Sequence, residues 1–466
     1  MAAVGLARGL VALTAALSAL GCAVGPNYSR PELRPPQQFR FAETTQAESL
    51  ADAPWFEVFD DPVLQALIRD AIANNLDLKT AAARVEEARA RAGIAKSYLY
   101  PRVEGATNYT FRGASGTSDH SLGSDDGTHG TGVYGFQLSW ELDLFGRIRR
   151  GQEAALALMM ASDHGRRGVL ITLVGDVASN YFLLRELDVQ LEIARQTLRL
   201  NDETVTYFRN RLEGGVSNRL ELDRIQAMRS QTAAAIPQIE QQIAVVEHLL
   251  SLLAGRTPGA IERSQGLGDL APPIPPGLPA SLLERRPDVA EAEQLLVAAN
   301  ADIGAAKALF YPTINLTGFL GGVSGDLNTF LGGGGGVWSA GAGLLQPIFQ
   351  GGRIRRNLEV MQARYDVALA EYQKAALNGY REVANALVTI QKLAEVRTER
   401  QLGVTALQDA SELSRARYDS GLASYIEILT ADQDLFQQQL LLAQTRGAEL
   451  RARAELYRTL GGGWRP

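Results

Sequence analysis

The chain has 466 residues, of which 46% are hydrophobic and 21% are charged, and its formal charge is −6 at pH 7. The acidic balance argues against non-specific nucleic-acid binding, and the single cysteine excludes a disulfide framework and any cysteine-built zinc site. Beyond residue 21 no apolar run approaches the roughly 20 residues of a spanning helix, which excludes a helical transporter but not a β-structured membrane protein.

Residues 1–21 have the pattern of a secretory signal peptide, with one positive charge before about a dozen apolar residues. Cys22 follows directly and resembles the cysteine of a lipoprotein signal, whose thiol accepts a diacylglycerol. Ala19 stands where that signal usually has a branched aliphatic residue, and the alternative is an ordinary signal with an incidental cysteine. Prolines then predict an extended tether over residues 22–58.

The rest of the chain is an internal duplication. Ala95–Pro101 recurs as Ala306–Pro312, and the Arg-Ile-Arg-Arg segment at 147–150 recurs at 353–356. From this second pair onward the offset between the two halves is constant. The predicted organisation is a first repeat over 59–256, a linker rich in Pro and Gly over 257–279, and a second repeat over 280–466.

Each repeat predicts a helix, two strands, a long helix and a shorter helix. The helices are expected over 60–97, 151–213 and 218–253, and then over 279–308, 351–420 and 422–460. In the first long helix, a mainly apolar stripe that includes two asparagines recurs strictly at three- and four-residue spacing, which favours coiled-coil packing. This stripe comprises Leu170, Leu173, Val177, Asn180, Leu184, Leu187, Leu191, Ala194, Leu198, Asn201, Val205, Phe208 and Leu212. A rod of about 95 Å does not fit a compact domain.

The strands are expected over 103–113, 132–144, 313–323 and 337–349. Apolar and polar residues alternate in them, a pattern typical of transmembrane β-strands. A half-buried strand of a soluble sandwich is the alternative. Four strands cannot close a barrel, so strands in a bilayer require several copies of the chain, and spacing alone leaves two, three or four copies open.

Several longer motifs give the chain a resemblance to the outer-membrane factors, the TolC-like proteins, and specifically to their lipoprotein branch. The motifs are Cys22–Tyr28, Trp140–Gly146, Leu283–Val289, Arg417–Gly421 and Tyr425–Leu429. The resemblance implies a mainly helical protein with a transmembrane β part. In it, a homotrimer forms a twelve-stranded β-barrel in the outer membrane of a Gram-negative bacterium, continuous with an α-helical barrel in the periplasm. It also implies an export channel that works with a periplasmic adaptor and an inner-membrane pump.

The turn after each long helix contains a glycine, Gly215 or Gly421, that permits the chain to reverse. Six residues beyond each glycine stand Glu221 and Glu427, and Asp223 follows the first of them. In a trimer these carboxylates would approach one ring, and such a ring at a narrow pore selects cations. The alternative is that both glutamates are solvated residues that the helix dipole favours near a helix N-terminus.

The resemblance adds a gate to this ring. Tyr418 matches a tyrosine that holds the entrance of relatives closed, and Ile426 resembles an apolar gate residue. The basic partner of that lock is replaced by Ala423, and a second acid is replaced by Thr430. The hydrogen-bond and charge network that closes the entrance of relatives is therefore not reproduced completely in this sequence.

No enzyme is predicted, because no nucleophile, base and orienting group cluster in the sequence. His120 and His129 with nearby aspartates could hold a metal, but a solvated polar loop is the favoured interpretation. The expected partners are copies of the chain, an adaptor, a pump and outer-membrane lipid, with no nucleic acid, and the expected cofactor is none beyond a covalent lipid on Cys22. A periplasmic coiled coil whose strands merely anchor it remains the second hypothesis.

Overall fold

The computed structural model describes residues 23–36, 39, 61–112, 129–268, 285–325 and 335–462. Its elements in chain order are α1 (Pro62–Asn74), α2 (Leu76–Ser97), β1 (Arg102–Arg112), β2 (His129–Leu142), α3 (Arg147–Glu213), α4 (Arg219–Leu253), α5 (Pro287–Ala308), β3 (Thr313–Ser324), β4 (Gly335–Leu345), α6 (Arg353–Asp419) and α7 (Tyr425–Thr459). The signal peptide, Cys22, most of the tether and the loop that contains His120 lie outside the described residues.

The chain divides into two compact units, each built from three segments. The sheet unit comprises Met1–Glu32, Arg84–Ser162 and Ala292–Tyr372. The helix unit comprises Leu33–Ala83, Asp163–Glu291 and Gln373–Pro466. Because both long helices run from one unit into the other, each repeat contributes to both.

The sheet unit holds one four-stranded antiparallel sheet in the order β1-β2-β3-β4. Side chains alternate across it, so that one face carries most of the apolar residues and the other carries most of the polar ones. Phe136 lies opposite Leu320, and Trp140 opposite Leu316, whereas Glu141 on the other face lies opposite Asn315. The edges of this sheet are β1 and β4.

The two long helices have the same length of 67 residues, or about 100 Å at the usual rise. The apolar stripe predicted along α3 is largely buried, with Val177, Leu184, Ala194 and Phe208 at zero exposure. One stretch of 18 residues within α3 has a mean hydropathy of 1.2, and 44% of it is buried inside the chain. Core helices share this property, so it is weak evidence for a helical membrane span.

Two predicted elements differ from the sequence expectation for a reason that a single residue supplies. The helix expected over 60–97 is broken at Asn75, whose side chain accepts a hydrogen bond from the Leu78 N–H and so starts a new helix. The strand expected to reach residue 349 stops at Leu345, because Pro347 has no N–H for the ladder. Within the described residues the helix expected over 279–308 runs from Pro287 to Ala308, and residues 279–284 lie outside them.

The core of the helix unit contains a buried polar network. Asp61 caps α1, and its carboxylate also accepts hydrogen bonds from Tyr181 and Arg185 of α3, both at 2.9 Å. Ser264, in the described part of the linker, donates to the same carboxylate at 3.0 Å. Since a buried charge is tolerated when it is fully paired, this network fastens the linker and α1 to the first long helix.

Candidate functional site

The two turns that follow the long helices, which we call the tip turns, share one backbone geometry. In the first, the N–H of Val216 bonds to the Arg211 carbonyl and that of Gly215 to the Leu212 carbonyl. In the second, Leu422 bonds to Arg417 and Gly421 to Tyr418 in the same way. The φ angles of Gly215 and Gly421 are +75° and +72°, a left-handed conformation that glycine adopts without a steric penalty. The predicted reversals are therefore glycine-terminated helix caps.

At the first tip turn, the Glu221 carboxylate is bound locally. The Ser217 hydroxyl donates to Glu221 Oε2 at 2.7 Å, and the Glu221 N–H donates to the capping side chain of Asn218 at 2.9 Å. The side chain lies within the first turn of α4, where the helix dipole favours a negative charge. Asp223 is exposed and pairs with Arg219 at 2.9 Å.

At the second tip turn, the Glu427 carboxylate has a different partner. Ala423 occupies the position of Ser217 and offers no hydroxyl, and the Arg417 Nε lies 3.5 Å from Glu427 Oε2. About 44% of the Glu427 side chain is exposed, so this pair is weak. Thr430 uses its hydroxyl to bond back to the Ile426 carbonyl, as threonines on helix surfaces commonly do.

An aromatic cluster, which we call the tip cluster, packs the two hairpins together above these turns. Its buried members are Val205, Phe208, Leu222, Ile225, Tyr425, Ile428 and Leu429. The ring of Phe208 from α3 lies 4.2 Å from that of Tyr425 on α7, and Tyr418 lies 5.3 Å from Tyr425. Burial raises the pKa of Tyr425 to about 12 and also raises the pKa of Tyr418. Tyr418 thus belongs to the contact between the hairpins.

Sequence reasoning missed two arginines at this site. Arg211 donates to the Tyr207 hydroxyl at 2.9 Å and to the Val216 carbonyl at 3.4 Å, and its guanidinium lies 5.8 Å from the centre of the Tyr418 ring. Arg417, its counterpart in the other repeat, reaches the Leu422 carbonyl and Glu427. A signal was available, because both arginines stand four residues before the turn glycines.

The structure therefore brings most of the predicted gate residues to the two tip turns. Ile426 is 43% exposed and lies outside the buried tip cluster. Among the described residues, no group of three or more His, Cys, Asp or Glu side chains is arranged to hold a metal ion. The chemistry available is electrostatic: carboxylates at two helix N-termini, of which Glu427 lies beside an arginine of the preceding helix and Glu221 beside the Ser217 hydroxyl.

Comparisons with known proteins identify relatives over nearly the whole chain. The family model described as outer membrane efflux protein matches residues 67–256 and 278–462. The cation efflux system protein CusC of Escherichia coli O6:H1 is 33% identical over 461 residues, covering 98% of both chains. The probable outer membrane lipoprotein SilC of Salmonella typhimurium is 34% identical and covers 95% of this chain and 96% of that one. The solved structure of the outer-membrane channel OprN superposes with a TM-score of 0.89 at 29% identity, covering 96% of this chain and 100% of the other.

Proposed function

Since this chain belongs to the outer membrane efflux protein family, we propose that its two tip turns form the gated periplasmic entrance of an export channel. The protein is the outer-membrane channel component of an efflux system and not an enzyme. It is located in the outer membrane, extends into the periplasm, and works as a trimer with an adaptor and an inner-membrane pump.

The single observation that carries the gate is the placement of Glu221 and Glu427. Each follows a left-handed glycine by six residues and sits in the first turn of its helix. Two carboxylates per chain in three copies give six, and each retains exposed surface from which its charge can act on passing ions. A ring of like charge at a constriction attracts cations and repels anions.

Gate closure would depend on the tip cluster. The Phe208 ring of the first hairpin lies 4.2 Å from the Tyr425 ring and 6.3 Å from the Tyr418 ring of the second, and the Arg211 guanidinium lies 5.8 Å from the centre of the Tyr418 ring, so separating the hairpins would break these contacts. Arg211 and Arg417 supply the positive charges that Ala423 does not. We propose that they replace the basic partner in the closed state of this channel.

The proposed cargo is a cation, organic or metallic. The supporting observations are the two carboxylates of the tip turns and the similarity to CusC, which is named as a protein of a cation efflux system. A duct of this kind conducts passively, and the pump selects most of what enters it.

The test is ion selectivity in planar bilayers. Glu221→Gln combined with Glu427→Gln should reduce the ratio of cation to anion permeability several-fold, because six charges leave the entrance. A matched control is Glu240→Gln with Glu395→Gln, which removes two exposed, ion-paired carboxylates from α4 and α6. Glu240 lies about 30 Å along α4 from Glu221. Unchanged selectivity in the tip variant would refute the gate, and absence of any conductance in the unaltered protein would favour the anchoring coiled coil.

We also propose that Cys22 carries a covalent lipid. The neighbouring tether is fixed to the sheet unit: the Val24 N–H donates to the Phe145 carbonyl at 3.0 Å, just beyond the end of β2. Arg150 donates to the Asn27 side chain at 2.8 Å, and Arg30 pairs with Glu293 at 2.8 Å. The mass of the mature N-terminal peptide tests this assignment.

A further inference from the structure

The two edge strands of the sheet need a partner that the single chain does not supply. All eleven residues of β4 are exposed, and so are nearly all of those described in β1. Beyond β4, Ile348 and Phe349 are 89% and 87% exposed, and Val103 at the start of β1 is 60% exposed. Unpaired strand edges are not tolerated in a bilayer, so these edges must be covered.

The internal duplication determines which residues correspond in the two hairpins of the sheet. Trp140 Nε1 donates to the Leu99 carbonyl at 3.0 Å, and Gln346 Nε2 donates to the Phe310 carbonyl at 3.1 Å. These are the same contact in the two repeats. Their positions differ by 206 residues for the donor (346 − 140) and by 211 for the acceptor (310 − 99).

The strand register gives the same two offsets independently. Arg102 in β1 lies opposite Ser139 in β2. Adding 211 to the first and 206 to the second gives Thr313 and Leu345, which are opposite each other in β3 and β4. Hence β1 corresponds to β3 with an offset of 211, and β2 corresponds to β4 with an offset of 206.

The pairing of β2 with β3 is therefore a contact from a first repeat to the following second repeat. In a closed ring of copies, each second repeat is followed by the first repeat of the neighbouring copy. The last strand of one repeat again meets the first strand of the next, so β4 pairs with β1 of the neighbouring copy. We propose that this copy–copy seam keeps the register of the β2–β3 pair. Phe136 opposite Leu320 then translates into Ala342 opposite Tyr109 of the next copy, and Leu138 opposite Gly318 translates into Leu344 opposite Thr107.

This register keeps both faces of the sheet continuous. Ala342 and Leu344 lie on the apolar face, since they are opposite Leu316 and Ile314 in β3. Tyr109 and Val103 lie on the same face, because Val103 is opposite Leu138. A shift by one residue would place apolar side chains on the polar face. A shift by two residues keeps the faces, so the two neighbouring registers are the real competitors.

The seam also covers exposed apolar residues of β4. Leu344, which is 67% exposed, would lie opposite Thr107 of the next copy, as Leu138 lies opposite Gly318 within the chain. The inference rests on the channel assembly that the proposed function requires, but not on the gate. Bilayer conductance of each variant under reducing conditions shows whether the channel still forms, and so distinguishes a wrong register from a failed channel.

Cysteine cross-linking tests the register. The double variant Ala342→Cys with Tyr109→Cys should give covalent dimers and trimers on oxidation, because directly opposite residues are within disulfide reach. Ala342→Cys with Thr107→Cys and Ala342→Cys with Phe111→Cys represent the two shifted registers and should cross-link at least several-fold less. The unaltered protein, whose single cysteine is Cys22, and each single variant are the background controls.

An internal control reports on the chemistry itself. Phe136→Cys with Leu320→Cys creates the equivalent pair within one chain and should form a disulfide without producing dimers. If that pair forms while a shifted pair between copies cross-links best, the proposed register is wrong. If none of the three pairs between copies forms, the seam itself is wrong, provided that the internal disulfide forms.

Discussion

The two tip turns have the same backbone but different side-chain partners. Both end a 67-residue helix with a glycine near φ +75°, and both place an arginine four residues before that glycine and a glutamate six residues after it. In the first turn Glu221 is bound by a serine hydroxyl, whereas in the second Glu427 is next to an arginine. Tyr425, in turn, occupies the place of Arg219 and fills the space between the hairpins.

This difference teaches that duplication preserved the geometry that reverses the chain and left the charges free to diverge. The cap depends on backbone hydrogen bonds and a left-handed residue, which few sequences provide. The side chains around it need only avoid clashes, so one turn became aromatic and the other polar. The contact between the hairpins is accordingly made by Phe208 from the first repeat and by Tyr418 and Tyr425 from the second.

The largest effect is expected when this aromatic contact is removed. Phe208 is fully buried, and Phe208→Ala should cost about 3–5 kcal/mol of packing free energy at the tip. The hairpins should separate more often, so single-channel conductance should rise and amide hydrogens near the tip turns should exchange faster. Leu200→Ala, which removes a 50% exposed apolar side chain earlier on the same helix and outside the tip cluster, is the control and should change both quantities much less. Equal effects of the two variants would contradict the role of the cluster.

A smaller effect should appear at high pH, and only at the second tip turn, where Tyr425 lies. The pKa of Tyr425 is raised by burial to about 12 from an ordinary value near 10, so the folded tip binds this proton more tightly than the unfolded chain. The resulting stabilisation is present below pH 10 and is lost as the pH rises from 10 to 12, by about 2 kcal/mol.

Hydrogen exchange or protease sensitivity of the tip across that range measures this loss. Tyr425→Phe, which has no proton to lose, should show a flatter profile than the unaltered protein. Parallel profiles for the two proteins would show that another group governs the alkaline transition.

The smallest effects are expected from glycine substitutions that test whether the backbones of the two tip turns are equally stable. Gly215→Ala and Gly421→Ala should each cost about 1–2 kcal/mol in local opening free energy, because both positions require a left-handed conformation. Gly214→Ala is the matched control, since Gly214 has no positive φ and an added Cβ would meet nothing closer than 3.4 Å. Unequal costs at the two glycines, measured by hydrogen exchange of the last helical turns, would show that the caps differ in strength.

Much of the fold followed from periodicity alone. The stripe of residues along α3 specified a long amphipathic helix, and alternation specified the strands, because both patterns repeat over many residues. The break at Asn75 was missed because the apolar spacing continues across it and one side chain decides it. The early end of β4 was missed although Pro347 was visible, because alternation alone was followed there.

For the site, the sequence provided the turn glycines, both glutamates and, through the family resemblance, Tyr418. It could not reveal that Arg211 reaches the Tyr418 ring, because the two residues are about 200 positions apart and belong to different repeats. Nor could it reveal that Ile426 stays outside the buried tip cluster, since spacing places a residue on a helix face without saying what covers that face.

The sequence by itself determined the duplicated halves, the rod-like helices, the four strands and the need for several copies, because each follows from a repeat or a period along the chain. Only the tertiary structure decided the strand register, the partners of the two glutamates and the packing of one hairpin on the other. These depend on distances between residues far apart in sequence, where several arrangements satisfy the same local pattern and side-chain contacts select one of them.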